Sequence, residues 1–174
     1  VLMKFNTKTI HGGQKHDPAY GSVMPPIYQT STYAQSTPGG HKGYEYSRTH
    51  NPTRNALENA FASIENGTYG LAFGSGLAAI DAVIKLLKPG DEVISTNDLY
   101  GGTYRLFTKI FESFGIKFHF IGMQNASNIE SYVNSNTKLI WVETPTNPMM
   151  NIIDIKTTAE IAKKHNILLA VDNT

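Results

Sequence analysis

The sequence predicts an α/β fold: a mostly parallel sheet with helices on both faces, preceded by an irregular N-terminal arm. Three observations carry this. From Thr53 onward, short apolar runs alternate with segments of helical periodicity, which implies parallel strands joined by helical crossovers. The last such run, Ile167 to Asp172, reads as a buried strand that delivers a carboxylate at its C-terminal end. Ligands of open α/β sheets bind off the carboxyl ends of strands, so an acid there is placed to face a ligand. Before Thr53, by contrast, periodicity is weak and turn formers abound.

The 52-residue N-terminal stretch contains Gly12, Gly13, Pro18, Pro25, Pro26, Pro38, Gly39, Gly40 and Pro52. It also holds Tyr20, Tyr28, Tyr33, Tyr44 and Tyr46, too many aromatic residues for a solvated tail. A long irregular but sticky segment is usually docked on something. Residues 1–52 therefore read as an arm packed on a neighbouring subunit, and 53–174 as the first, incomplete part of a ligand-binding domain. Met3 reads as the natural start, after Val1-Leu2.

Thr53 is expected to cap a helix running to about Glu65, with Leu57, Phe61 and Ile64 on one face and Gly67 beyond its end. Tyr69–Phe73 reads as a short strand. Ser75–Lys88 reads as a helix with Leu77, Ile80, Val83, Ile84 and Leu87 inward, stopped by Pro89-Gly90. Strands are expected at Glu92–Ser95, Lys117–Ile121, Lys138–Glu143 and Ile167–Asp172. Helices are expected at Tyr104–Phe114, closed by Gly115, at Asn128–Val133 and at Thr157–His165.

Composition narrows the function. Apolar residues make up 40% and charged residues 17%, the balance of a globular chain. A net charge of +1 gives no electrostatic reason to propose nucleic acid or an acidic membrane as partner. The chain has no cysteine, which excludes disulfides and thiolate metal sites. Its six histidines form no H-x-x-x-H pair, so no metal is expected. No membrane span or signal-peptide pattern is visible, and a reducing cytoplasm is the expected location.

Five loops carry possible chemistry. Phe73-Gly74-Ser75-Gly76-Leu77 opens a helix, where free N–H groups and the positive dipole end can cradle a phosphate. The plain alternative makes Ser75 an ordinary N-cap. The loop lacks the third glycine of a dinucleotide fingerprint and the Gly-Lys-Ser/Thr of a P-loop. In Asp98-Leu99-Tyr100-Gly101-Gly102-Thr103, Tyr100 can lie flat against a planar ligand, or merely pack on its loop. In Glu143-Thr144-Pro145-Thr146-Asn147-Pro148, two prolines fix the direction of Asn147, an amide suited to a phenolic or carbonyl oxygen, unless it is only a turn former. Asp172 is the fourth element, with a helix cap as its alternative. In Gly43–Arg54, arginine beside a tyrosine hydroxyl can grip a phosphate dianion, or the stretch is a solvated basic turn. Together a phosphate cradle, a flat aromatic, a fixed amide and an anion suit a planar phosphorylated heteroaromatic with a protonated ring nitrogen. Pyridoxal 5′-phosphate is the obvious candidate.

The succession YEYSRTHNPTR, FGSGLAAI, DLYGGTYRLF, TKLIWVETPTNP and LLAVDNT closely resembles the Cys/Met-metabolism family of fold-type I pyridoxal-phosphate enzymes, from about His11 to Thr174. Cystathionine γ-synthase, cystathionine γ-lyase, cystathionine β-lyase and methionine γ-lyase belong to it. The resemblance implies an aminotransferase-like fold of which the C-terminal domain is missing here. It implies that Ser75, Gly76 and Leu77 hold the cofactor phosphate, that Tyr100 stacks on the ring and takes part in catalysis, that Asn147 meets the phenolic oxygen and that Asp172 pairs with the pyridine nitrogen. Tyr46 and Arg48 would reach the phosphate in the neighbouring subunit of a homotetramer built as a dimer of dimers. Glu45, with Tyr46, would meet the amino-acid substrate. Lys42 or Arg54 could instead neutralise Glu45. In this family the Schiff-base lysine lies in a Ser-x-x-Lys-like motif well downstream of the aspartate, and no lysine of this chain is in that position. The chain alone is thus expected to be inactive. The expected reaction is γ-replacement or γ-elimination on a homoserine ester or cystathionine-type amino acid, with methionine γ-lyase or cystathionine β-lyase as alternatives within the family. A nucleotide binder of Rossmann type and a non-catalytic binding module are the alternatives from other classes.

Overall fold

The computed structural model describes residues 3–174; Val1 and Leu2, and with them the reading of the natural start, lie outside the described residues. The chain divides into two compact units, Val1–Phe73 and Gly74–Thr174.

In the first unit, α1 (Phe5–His11) packs on α2 (Pro52–Ile64). Helix α1 lies in the stretch read as irregular. It has no buried residue and no side-chain N-cap, so little in its sequence announces it. Helix α2 is capped by Asn51, not Thr53: the Asn51 side chain accepts from Thr53 N at 2.8 Å, with Pro52 at the first position, where its missing N–H costs nothing. Thr53 ties down the arm instead. Its hydroxyl donates to Pro26 O at 3.2 Å and accepts from Tyr28 N at 2.8 Å. Residues Tyr69–Phe73 form no strand, contrary to the sequence pattern. Their alternation is that of a strand, but no other segment among the described residues pairs with them, and Tyr69, Leu71 and Phe73 stay exposed.

The second unit is a four-stranded, wholly parallel sheet in the order β2-β1-β3-β4, from β1 (Glu92–Thr96), β2 (Lys117–Ile121), β3 (Thr137–Glu143) and β4 (Leu168–Asp172). Side chains alternate between two cores. Val93, Phe118, Leu139 and Trp141 join Ile80 and Ile84 of α3 (Gly76–Ile84) with Phe107 and Phe111 from the helix after β1. On the opposite face Ile94, Ile121, Ile140 and Val142 join Ile129 of α5 (Ser127–Tyr132) with Ile161 and Ala162 of α6 (Ile155–Lys164). A strand covered on both faces needs apolar residues at consecutive positions, which is why the run in β3 is continuous, whereas β2 alternates with His119 between its aromatic residues.

The helix expected over Tyr104–Phe114 begins earlier, as α4 (Gly101–Arg105), passes through a π-helical stretch over Leu106–Phe111 and ends in a short 3₁₀ turn. Gly115 closes it with φ +83°, and a Cβ there would also press on Pro89. Helix α3 ends at Ile84 rather than Lys88. Strand β4 is only partly buried, a correction to the buried strand expected from its apolar run. Within this chain β4 pairs with β3 alone, and Leu168 and Val171 remain open.

At the amino end of the sheet, on the α5 side, sits a polar cluster. The Glu92 carboxylate accepts from Asn134 Nδ2 at 2.9 Å, meets His119 Nε2 at 2.6 Å and lies 3.5 Å from Lys117 Nζ. These partners, the Asn134 hydrogen bond first, lower its carboxyl from 4.5 to about 2. A depressed carboxylate stabilises the fold above its unfolded pKa and loses that contribution as pH falls toward the folded value. Glu92→Gln should therefore cost about 1–2 kcal/mol near neutral pH, discounted for the solvent that reaches the cluster, and should flatten the acid limb of stability between pH 4.5 and 2. Urea unfolding of both proteins at neutral and acid pH measures this; parallel curves would show that Glu92 contributes nothing.

Candidate functional site

Consecutive strands leave β1 in opposite directions: β2 lies on one side of it and β3 on the other. Such a reversal opens a crevice at the carboxyl ends of β1 and β3. The loops that follow these two strands line it, together with the start of α3 and the end of β4. The cavity measures about 800 Å³ and is bounded by Ser75, Gly76, Leu77, Ile80, Tyr100, Glu143, Pro145, Thr146, Asn147, Pro148, Met150, Asp172 and Thr174. Six residues singled out from the sequence, Ser75, Gly76, Leu77, Tyr100, Asn147 and Asp172, thus meet in one cavity.

Each is placed by its element. The Ser75 side chain accepts from Ala78 N at 3.1 Å, so Ser75 is a true N-cap. This leaves the N–H groups of Gly76 and Leu77 without an acceptor among the described residues, at the positive end of α3. Tyr100 is the residue before α4, and its side chain is half exposed. Gly102 makes room for that ring: a Cβ there would collide with Tyr100 Cε1. Asn147 lies between two cis prolyl bonds, Thr144-Pro145 and Asn147-Pro148. Asp172 pairs in register with Glu143, and its Oδ1 accepts from Thr174 N at 3.1 Å and from the Thr174 hydroxyl at 2.6 Å.

Sequence reasoning quoted Glu143 and Asp98 within their loops but gave neither a role. Glu143 is buried, and both its oxygens accept from Tyr100 N, at 3.1 and 3.0 Å. Oε1 also accepts from Asn147 N at 3.1 Å. Burial pushes its carboxyl above the ordinary range; the charges of Asp172 and Asp98 push the same way, against the pull of the two N–H groups. Asp98 Oδ2 accepts from the Thr146 hydroxyl at 2.5 Å and from Met149 N at 3.0 Å. Neither carries a mark in the sequence that foretells this role, since most of these partners lie some forty to fifty residues away in the chain.

The cavity lining combines negative side chains with a positive backbone feature. It holds two carboxylates, Glu143 and Asp172, and no lysine, arginine or histidine. The unpaired N–H groups of α3 supply its one positive feature. The chain's single Ser-x-x-Lys string, Ser135 to Lys138, is at the opposite, amino end of β3, where Lys138 Nζ donates to Ser135 O at 2.8 Å. It cannot serve this cavity.

Tyr46, Arg48 and Glu45 belong to the first unit and are not in this lining. The Arg48 guanidinium lies 5.0 Å from the centre of the Tyr46 ring and is exposed. Arg54 is not free to neutralise Glu45: it donates to Ser47 O at 3.1 Å and Thr49 O at 2.5 Å, and lies 3.8 Å from Glu58. Glu45 is exposed and has no ion-pair partner among the described residues. No helix among those residues is long and apolar enough to cross a membrane.

Comparison with known proteins shows the family to which the chain belongs. A cystathionine gamma-lyase of Bacillus subtilis is 51% identical over 172 residues, 99% of this chain and 45% of that protein. A cystathionine beta-lyase of Coxiella burnetii is 49% identical over 170 residues, 97% and 44% respectively. The crystal structure of metB from Corynebacterium glutamicum superposes with a TM-score of 0.94 at 44% identity, covering 99% of this chain and 46% of that one. The chain therefore spans less than half the length of these relatives. The family profile for the Cys/Met metabolism PLP-dependent enzymes matches residues 6–174, and the chain belongs to that family.

Proposed function

We propose that the protein containing this chain catalyses γ-replacement or γ-elimination on homoserine esters or cystathionine-type amino acids, as a cystathionine γ-synthase or γ-lyase. One observation carries the reading: a single cavity lined by two carboxylates, an unpaired helix N-terminus, an aromatic ring and an amide. Pyridoxal 5′-phosphate fits that donor set, because it joins a phosphate dianion to a ring nitrogen that an acid keeps protonated.

When bound, the cofactor supplies an electron sink for the negative charge that develops at the substrate's α-carbon. The N–H groups of Gly76 and Leu77, with Ser75, would hold its phosphate. Asp172 would keep the ring nitrogen charged, Asn147 would donate to the phenolic oxygen and Tyr100 would cover one ring face. The Tyr100 hydroxyl would serve as acid or base for a proton on the departing γ-substituent. No lysine lines the cavity, so the amine that binds the cofactor covalently must come from outside this lining, and the chain alone should not turn over.

The assembly follows by the same resemblance. Exposed Arg48 and half-buried Tyr46 are free to reach the phosphate of a neighbouring subunit, in a homotetramer made of two dimers. Unpaired Glu45 would meet the distal ammonium of the substrate. A cytoplasmic location belongs to this reading. Cystathionine β-elimination is the second reading, since the beta-lyase relative is almost as similar as the gamma-lyase.

Purified full-length protein, given O-succinylhomoserine, O-acetylhomoserine, cystathionine and methionine in turn, should form γ-products and show visible absorption that borohydride removes. Pyruvate with homocysteine from cystathionine would select the β-lyase instead, and no visible absorption would overturn the assignment. Tyr100→Phe should lower kcat by about 10²-fold while cofactor stays bound, the usual scale for a lost acid or base. An unchanged kcat would remove that hydroxyl from the chemistry. Gly102→Ala should leave the fold intact but displace the Tyr100 ring, weakening cofactor binding by about tenfold in an equilibrium titration. Binding equal to wild type would show that the ring contributes nothing there.

A further inference from the structure

We infer that Glu143 and Asp98 are a reciprocal pair of positioning residues that clasp the two loops carrying Tyr100 and Asn147. The inference rests on the cofactor reading above and extends it to residues that touch neither ring nor substrate.

The hydrogen bonds cross in both directions. Glu143, at the end of β3, reaches the loop after β1 and receives Tyr100 N on both carboxylate oxygens. Asp98, in the loop after β1, reaches the loop after β3 and receives the Thr146 hydroxyl and Met149 N. Glu143 also receives Asn147 N, so one buried carboxylate fixes the backbone of both ligand-facing residues. Thr146 strengthens the join, since its hydroxyl also accepts from Asn151 N at 2.8 Å, which fixes the turn that follows. These loops diverge at the crevice, and no strand ladder ties them beyond Thr96 and Glu143. Without the clasp, Tyr100 and Asn147 would sit on separate loops that move independently.

A buried carboxylate beside two others, with no cation in contact, is an expensive way to join loops. Both its oxygens are used as acceptors, where a neutral amide offers only one. Its distinguishing feature is position: Glu143 is the register partner of Asp172, the acid expected beneath the ring nitrogen. A second negative charge there reinforces the preference of that site for a cationic ring. Glu143 thus acts through the two loops and through the field at Asp172.

The test compares wild-type full-length protein with Glu143→Gln, Asp98→Asn and, as a matched control for stability, Glu92→Gln at the far end of the sheet. Glu143→Gln presents an amide N–H₂ to backbone donors and should raise the Kd for pyridoxal phosphate at least tenfold, weaken the visible circular dichroism of bound cofactor and lower kcat more than it raises KM. Asp98→Asn should weaken binding about threefold. Glu92→Gln should change none of these. Hydrogen exchange at Tyr100 and Asn147, read without cofactor, should be slow in wild type and fast in Glu143→Gln. A wild-type Kd, spectrum and exchange rate in Glu143→Gln would overturn the inference. If wild type takes up no pyridoxal phosphate, the cofactor reading fails, and the exchange rates alone decide whether the clasp exists. Loss of the spectrum in Glu92→Gln as well would assign the effect to general instability and overturn it too.

Discussion

The hydrogen bonds of one buried acid, Glu143, organise the carboxyl edge of this sheet. A parallel sheet with a reversal of strand order opens a crevice by topology alone, but topology does not fix the loops on its two banks. Glu143 accepts main-chain donors from both banks, and Asp98 returns the interaction from the other side. The cavity, the exposure of the Tyr100 ring and the direction of Asn147 depend on that join. Main-chain donors suit the purpose because they place the loop itself and leave the side chains of Tyr100 and Asn147 free for a ligand.

Most of the second unit was legible because its central strands β1 and β3 are buried on both faces and its helices cover them. Lys117–Ile121 lies where alternation and length placed it, and Gly115 ends a helix where only a left-handed residue serves. The failures have physical reasons. Tyr69–Phe73 has the pattern of a strand, but a strand exists only through its neighbours, and periodicity cannot supply a partner. Asn51 outcompetes Thr53 as a cap because Pro52 can occupy the first helical position, a preference that applies to the residue after the cap. The apolar run of β4 could not reveal that within this chain it pairs with β3 alone.

The site was legible only in part. Side chains that meet a ligand sit in loops rich in glycine and proline at strand ends, and position in the alternating pattern finds them. Glu143 and Asp98 carry no such mark. Both lie in the same loops, but Tyr100 N, the Thr146 hydroxyl and Met149 N lie some forty to fifty residues from the acids they join, and nothing in either loop marks them as partners. Long-range contacts between side chain and main chain leave no trace in spacing.

The two ends of the sheet put one residue type to opposite uses. At the amino end Glu92 gathers Asn134, His119 and Lys117, so its charge is matched and its carboxyl is held near 2. At the carboxyl end Glu143 has no cation and two carboxylate neighbours, and burial pushes its carboxyl upward. The first arrangement stabilises the fold without a ligand. The second leaves negative charge uncompensated inside a cavity, and in the resting chain it opposes folding as pH rises above the ordinary carboxylate range. Uncompensated charge of that kind is relieved by a cation delivered from outside. A protonated heterocycle held by its phosphate at the start of α3 would place that positive charge beside Asp172 and Glu143. On the proposed reading, the electrostatic cost of these acids would become part of the affinity for the ring, and the acids that join the loops would favour its charged form.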